Sequence, residues 1–385
     1  MAPLPPKSGD TSWLCEKAKQ LGFELCGVAP AQKFPELEHF PEWLGRGYAG
    51  EMKYLSDSRR LDPANAMSCV RSLIVCALNY NTKLPYSTDA AADPESPRGW
   101  ISRYAWGDDY HEVLWAKLNA LIAEMRTHFA QAAPFEARAY ADTGPVHERA
   151  AAKYAGLGWL GKNTLLINQQ AGSWLFLGVI LTTLPLTPTL APDEMPAPDR
   201  CGSCRACLDA CPTQAIVAPY LLDATKCISY LTIEFHGSIA ENLREPMGQH
   251  VFGCDICQDV CPWNRKSPRT NTPQFEPRQF SHGLESVAEG ASLFRPELLK
   301  LANLSELEFR ETFRGSPVKR AKWRGLVRNA CIALGNSGRR PEGAAYPEAL
   351  SVLRKLSESS DAAIAESARW ALSRIQPNGN HSGGG

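Results

Sequence analysis

The sequence predicts a three-part molecule: an N-terminal domain of the mixed α/β or α+β class, a cysteine-rich segment, and an all-α C-terminal part. Three observations predict it. Helix-period and strand-period stretches alternate over roughly the first 185 residues. Seven cysteines crowd two short runs between Cys201 and Pro262. The last hundred or so residues carry helical spacing only.

Taken in order, Thr11 to Leu21 has helical spacing, with Trp13, Leu14, Ala18 and Leu21 on one face. Phe23 to Ala29 and Ser72 to Tyr80 are strand-like, Tyr110 to Phe129 is a long helix, and Phe135 to Ala141 is a strand. Val146 to Ala155 is helical and stops at Gly156. Thr164 to Ile167 and Trp174 to Leu184 are further strands. A proline-rich connector, Pro185 to Pro198, closes this domain, and Asn264 to Gln279 is polar and loop-like. In the helical part, Val327 to Leu334 and Ala365 to Leu372 align at a 38-residue offset, matching Ala330, Ala333 and Leu334 with Ala368, Ala371 and Leu372. Small residues at helical spacing permit close packing, and an offset near 40 suits paired-helix repeats. The division is therefore a loose tail at 1–10, an α/β domain at 11–190, a cysteine-rich domain at 191–270, a helical domain at 271–376 and a second tail at 377–385.

Composition narrows the function classes. With 385 residues the chain exceeds one typical domain, and 41 basic against 41 acidic residues leave no global attraction to nucleic acid. No apolar run reaches the length of about 18 that a membrane span needs. The N-terminus lacks a secretory core or twin arginine, so a cytoplasmic protein is expected. Thirteen cysteines, an odd count, argue against a disulfide framework. Cys15, Cys26, Cys69, Cys76 and Cys331 sit among apolar residues and read as small buried hydrophobes.

The remaining eight carry chemistry. Cys201, Cys204, Cys207 and Cys211-Pro212 form the C-x₂-C-x₂-C-x₃-C-P run of two-cluster ferredoxins. Cys254, Cys257 and Cys261-Pro262 form a partial second copy, and Cys227 can fill its missing position. Three thiolates at x₂ intervals wrap one cubane, while the cysteine before proline crosses to the other. Cys201, Cys204, Cys207 and Cys261 would hold one [4Fe–4S] cluster; Cys211, Cys227, Cys254 and Cys257 would hold the second. Structural zinc, which also uses C-x₂-C pairs, leaves both Cys-Pro cysteines unexplained.

Two clusters need an electron sink, and the N-terminal domain has no GxGxxG run for a dinucleotide. It does have Asp142-Thr-Gly-Pro-Val-His-Glu-Arg149. Asp142 there reads first as a cap for the helix beginning near Pro145, and second as a carboxylate at a strand's carboxyl end, where open α/β sheets bind ligands.

With Ile101-Ser-Arg-Tyr-Ala-Trp-Gly-Asp-Asp-Tyr-His111, Gly156-Leu-Gly-Trp-Leu-Gly-Lys-Asn163, Ala171-Gly-Ser-Trp-Leu-Phe-Leu-Gly178, Cys227-Ile-Ser-Tyr-Leu-Thr-Ile-Glu234 and Cys254 to Asn264, the chain resembles the epoxyqueuosine reductases from Thr11 to about Arg374. The resemblance implies cobalamin in the α/β domain, in a fold shared with reductive dehalogenases, with two [4Fe–4S] clusters beside it. It implies reduction of a tRNA wobble epoxide to queuosine, HEAT-like C-terminal repeats that hold the tRNA, and Asp142 as proton donor. Such an acid needs a raised pKa, which packing against the corrin would supply. Arg60, Arg103, Tyr104, His111, Lys162, Asn163, Ser173 and Ser229 are the expected cofactor contacts, and Gly158 and Gly161 would let backbone approach closely. Lys319, Arg320, Lys322, Arg324 and Arg328, five cations without an acid around Trp323, are the expected tRNA surface. A flavodoxin- or ferredoxin-type donor and a monomeric state complete the expectation. The competing readings are a dehalogenase-like enzyme acting on a small molecule and a two-cluster electron carrier without catalysis.

Overall fold

The computed structural model describes residues 8–89, 96–131, 134–279, 292–338 and 346–376. The tail at 377–385 and most of that at 1–10 lie outside these residues. Ser8 to Asp10 instead open the first helix, α1 (Ser8–Gln20).

A four-stranded sheet organises the N-terminal domain: β1 (Leu25–Pro30), β2 (Ser72–Asn79), β3 (Ala137–Tyr140) and β4 (Leu175–Thr182). Its order is β1-β2-β4-β3 and every pairing is antiparallel. The domain is thus α+β, and the argument from parallel α/β sheets for a ligand beside Asp142 does not apply. The side-chain period of two sorts the buried strands cleanly. Ile74, Cys76, Leu78 and Ile180 face α1 and α2 (Tyr110–His128), while Leu73, Val75, Val179 and Leu181 face α3 (Glu148–Tyr154). Gly178 admits α2, since a Cβ there would lie 2.7 Å from Leu118. The strand expected at Thr164 to Ile167 shortens to Leu166–Ile167, which pairs with Trp159–Leu160 outside the main sheet. Gly158 and Gly161 do allow close approach, but to Ile167 of that hairpin.

The C-terminal part contains α4 (Leu298–Asn303), a capping-box helix at Glu306–Thr312, α5 (Lys322–Gly335), α6 (Tyr346–Ser357) and α7 (Ala362–Ile375). The two aligned octads fall on α5 and α7, which pack together through Ala330, Ala333, Leu334, Ala368 and Ala371. This core does not respect the boundaries expected at 190 and 270. Trp100, Ile101 and Trp106 join it, as do Val251 and Phe252, because residues 100–101 and 250–252 pair as a short parallel ribbon beneath α5. Of the five cysteines outside the motifs, Cys76 and Cys331 are buried, but Cys69 is exposed in a left-handed turn (φ 61°).

Candidate active site and cysteine centres

The four cysteines Cys201, Cys204, Cys207 and Cys261 line one cavity of about 260 Å³, together with Lys162, Asn163, Arg200 and Trp263. Lys162 Nζ donates to the carbonyls of Gly202 and Cys204, and Asn163 Nδ2 to that of Cys257 at 3.2 Å. Both side chains, expected as corrin contacts, therefore brace the cysteine loops in this structure. The indole N–H of Trp159 is buried without a partner and is directed at the Cys201 thiol. A sulfur-rich group in the cavity would satisfy it, so these residues fit an iron–sulfur cluster. Cys211, Cys227, Cys254 and Cys257 form the other neighbourhood: burial first, then their mutual proximity, pushes the thiols of Cys254 and Cys257 well up.

Gly253 backs onto Tyr104, with a Cβ at that glycine lying 3.5 Å from Tyr104 Cε1. Tyr104 meets Tyr110 edge-on at 5.9 Å between ring centres, and the Tyr110 hydroxyl donates to Asp142 Oδ2 at 2.8 Å. Gly253, next to Cys254, is thus linked to Asp142 through Tyr104 and Tyr110. The Asp142 side chain is 66% exposed although Tyr104, Tyr110, His111, Glu148 and Arg149 surround it, which makes it the floor of a wide recess.

Asp142 follows β3 with φ at 58°, a left-handed conformation that costs a non-glycine residue about 1–3 kcal/mol. It does not cap α3; His147 stands at that position and makes no side-chain cap. Its backbone N–H instead donates to Glu148 Oε1 at 2.5 Å, and its carboxylate faces His111 Nε2 at 3.6 Å. The His111 Nδ1 pairs with Asp109 Oδ1 at 2.6 Å, and Lys319 Nζ donates to Asp109 Oδ2 at 2.7 Å. Burial alone would lower His111, but its bonds to Asp109 and Asp142 win and raise it to about 9. Withdrawal from bulk water would raise Asp142, yet His111, Tyr110 and Arg149 hold it below the usual carboxylate range. The raised pKa expected for Asp142 is tied to packing against a corrin; the protein's own groups, His111 first, pull it the other way. Burial, then the Asp142 charge, pushes Glu148 up to about 8. Tyr110, Asp109 and Glu148 were each inside a recognised motif, but no spacing rule marks them as partners of Asp142.

Two expected cofactor contacts are spent on the fold. Arg103 is 1% exposed, donates to Thr82 Oγ1 and to the Leu84 and Pro85 carbonyls, and stacks on Trp106 at 4.6 Å. Ser173 Oγ is buried between Gln258 and Asn264. Tyr104, His111, Arg60 and Ser229 remain partly accessible. Arg60 lies over the Tyr54 ring at 5.7 Å, and both are charged or polar neighbours of the Asp142 recess through His147 and Tyr54.

The cationic run is also divided. Arg328 is buried and gives its N–H groups to the Leu231, Phe235 and Gly237 carbonyls and to Asn329. It cannot reach a phosphate, and its expected tRNA role is corrected. Lys319, Arg320 and Arg324 pair with Asp109, Glu234 and Asp361 while staying more than half exposed, and Lys322 is exposed.

The architecture and these sites agree with known proteins. Residues 200–264 match a 4Fe-4S double cluster binding domain, and residues 60–143 match the model of epoxyqueuosine reductase QueG. The epoxyqueuosine reductase of Pseudomonas aeruginosa is 40% identical over 92% of each chain. This chain belongs to the epoxyqueuosine reductase family. It is therefore an oxidoreductase with a 4Fe–4S-binding domain. Within the family, the Escherichia coli reductase is 37% identical over 85% of this chain and 82% of its own. A crystal structure of an epoxyqueuosine reductase with an epoxyqueuosine-modified tRNA-Tyr stem loop superposes with a TM-score of 0.82, at 30% identity over 96% and 92% of the two chains. The Bacillus subtilis reductase with its catalytic aspartate loop swung out of the active site superposes at 0.79, with 29% identity over the same shares. Among the described residues, no helix is long and apolar enough to cross a membrane.

Proposed function

We propose that this protein reduces the epoxide of epoxyqueuosine at the tRNA wobble position to queuosine, with Asp142 as proton donor. Family membership supports the reaction class, and the relative solved with a modified stem loop supports tRNA as substrate. The observation that carries the reading is an exposed Asp142 carboxylate held by Tyr110 and His111 and linked through Tyr110 and Tyr104 to Gly253, beside Cys254.

Two [4Fe–4S] clusters would be held by the Cys201, Cys204, Cys207, Cys261 set and the Cys211, Cys227, Cys254, Cys257 set. Cobalamin would lie beside Asp142, with Tyr104, His111, Arg60 and Ser229, all partly accessible, as its nearest candidates. When bound, that cofactor would supply strongly reducing cobalt chemistry.

Deoxygenation consumes two electrons and two protons: the epoxide oxygen leaves as water and a carbon–carbon double bond forms. The protein's own part is to hold and move protons. His111 holds a proton beside Asp142, so an oxygen arriving at the carboxylate meets an imidazolium–carboxylate pair that acts as one general acid. Asp109 fixes the His111 tautomer, as carboxylates do for catalytic imidazoles. Glu148 carries a second proton and anchors the Asp142 backbone. Arg320, Lys322 and Arg324, on what we read as HEAT-like repeats, would contact tRNA phosphates. We read the protein as a cytoplasmic monomer with a flavodoxin- or ferredoxin-type donor.

The test is anaerobic turnover with reconstituted clusters, cobalamin, a low-potential reductant and epoxyqueuosine-containing tRNA, followed by nucleoside mass spectrometry. Cobalamin-dependent appearance of queuosine is expected. No conversion with all cofactors bound overturns the reading and favours a small-molecule reductase.

A further inference from the structure

The two cysteine quartets differ in their access to solvent. Cys211, Cys227, Cys254 and Cys257 are all partly buried, and Gly253 beside Cys254 packs on Tyr104. The cavity of Cys201, Cys204, Cys207 and Cys261 opens outward: Cys204 is exposed, as are its neighbours Gly202, Ser203 and Arg205. Its rim is cationic. Arg200 lines the cavity and is exposed. The turn Pro262–Asn264, whose Pro262 and Trp263 also line it, runs straight into exposed Arg265 and Lys266, with Arg265 N–H bonded back to Pro262. Among the described residues no ion pair engages Arg200, Arg265 or Lys266.

The acids nearby are largely committed. Asp209 pairs with Arg205 at 3.2 Å, Asp199 accepts from the Tyr220 hydroxyl and the Cys201 N–H, and Glu194 accepts from the Ala191 N–H. Lys162 adds a positive charge at the same mouth. None of these rim cations belongs to the charged surroundings of Asp142, where Arg149, His111 and Arg320 act. The rim surrounds an exposed cysteine ligand.

We propose that Arg200, Arg265 and Lys266 form the docking face for an acidic one-electron carrier protein, and that electrons enter at the Cys201–Cys204–Cys207–Cys261 quartet. This rests on the proposed electron route. Each encounter oxidises the carrier by one electron and reduces the cluster by one, so two encounters match the two electrons of one epoxide. A rim of unpaired charge around a small opening suits such a partner: it speeds encounter by steering without holding the product complex. Transient redox interfaces are correspondingly small, below about 1,200 Å².

The experiment uses the full chain with reconstituted clusters and the double variant R265E/K266E. Cluster bleaching is followed by stopped flow, with reduced flavodoxin as the acidic donor and with dithionite as the small one. At low salt the variant should take electrons from flavodoxin about 10-fold more slowly or worse, with a flattened salt dependence. Its iron content, its reduction by dithionite and its affinity for a stem-loop RNA should match the parent. Equal flavodoxin rates in parent and variant overturn the docking face. So does a loss of stem-loop affinity with the flavodoxin rate unchanged, which would assign the rim to RNA. A parent that shows the salt-sensitive flavodoxin rate but converts no tRNA supports the docking face and rejects the proposed reaction.

Discussion

Lys319 Nζ lies 2.7 Å from Asp109 Oδ2, so the helical C-terminal part reaches into the N-terminal domain and grips the residue that orients His111. Asp109 is 5% exposed at its side chain, whereas Lys319 is 58% exposed. We propose that the cation expected to meet tRNA acts instead through Asp109, as a positioning residue for the acid. Lys319→Ala should lower single-turnover reduction about 10-fold, the scale of a mispositioned acid–base group, while stem-loop affinity changes less than twofold. Lys319→Arg should restore most of the rate. A variant that loses affinity and keeps its rate would return Lys319 to the tRNA surface.

Asp142 receives its bonds from Tyr110 and faces His111. Asp142→Asn keeps the shape but cannot accept and pass on the His111 proton. Turnover should fall by about 10² to 10⁴, with iron, corrin and stem-loop binding intact. Full turnover in that variant would exclude Asp142 as donor.

The acid–base pair makes a signed prediction for pH. His111 is raised to about 9, so its proton is present through neutrality and is lost above that value. Turnover should be level between pH 7 and 8 and decline as pH passes about 9, and His111→Asn should lose this limb. Stability follows the same sign: the His111 contribution is complete below its ordinary value of 6.5 and disappears as pH rises through about 9. Glu148 adds to it, contributing below its ordinary 4.5 and losing that contribution as pH rises through about 8. Melting temperatures of Glu148→Gln should therefore fall less than the parent's between pH 5 and 8.5. Parallel curves would mean Glu148 is not held protonated.

Arg328 satisfies carbonyls of Leu231, Phe235 and Gly237 from inside the fold. Arg328→Met removes the donors and strands these acceptors, which should cost about 3 kcal/mol in urea unfolding. The salt slope of stem-loop binding should not change. Lys322→Gln and Arg324→Gln should do the reverse, each flattening that slope by about one with little effect on stability.

The cluster-binding segment was legible because its chemistry is local in sequence: x₂ spacing keeps thiolates close together whatever surrounds them, and residues 200–264 match a 4Fe-4S double cluster binding domain. The strand and helix order came through for the same reason, as periods of two and 3.6 are written residue by residue. Failures began where side chains of one type had two possible environments. Arg103, Ser173 and Arg328 carry the same donors whether buried or exposed, and only their surroundings assign them to the fold.

By itself, then, the sequence determined the family, the cluster-binding segment and the motif around Asp142, because each is a short-range pattern. Tertiary structure alone decided that the sheet is antiparallel, that Asp142 faces His111 rather than capping α3, and that Lys319 closes the chain of charges from 210 residues away. The physical reason is that burial and charge act through space. A carboxylate's proton affinity is set by whichever groups the fold brings within a few ångströms, and that distance is written nowhere along the chain.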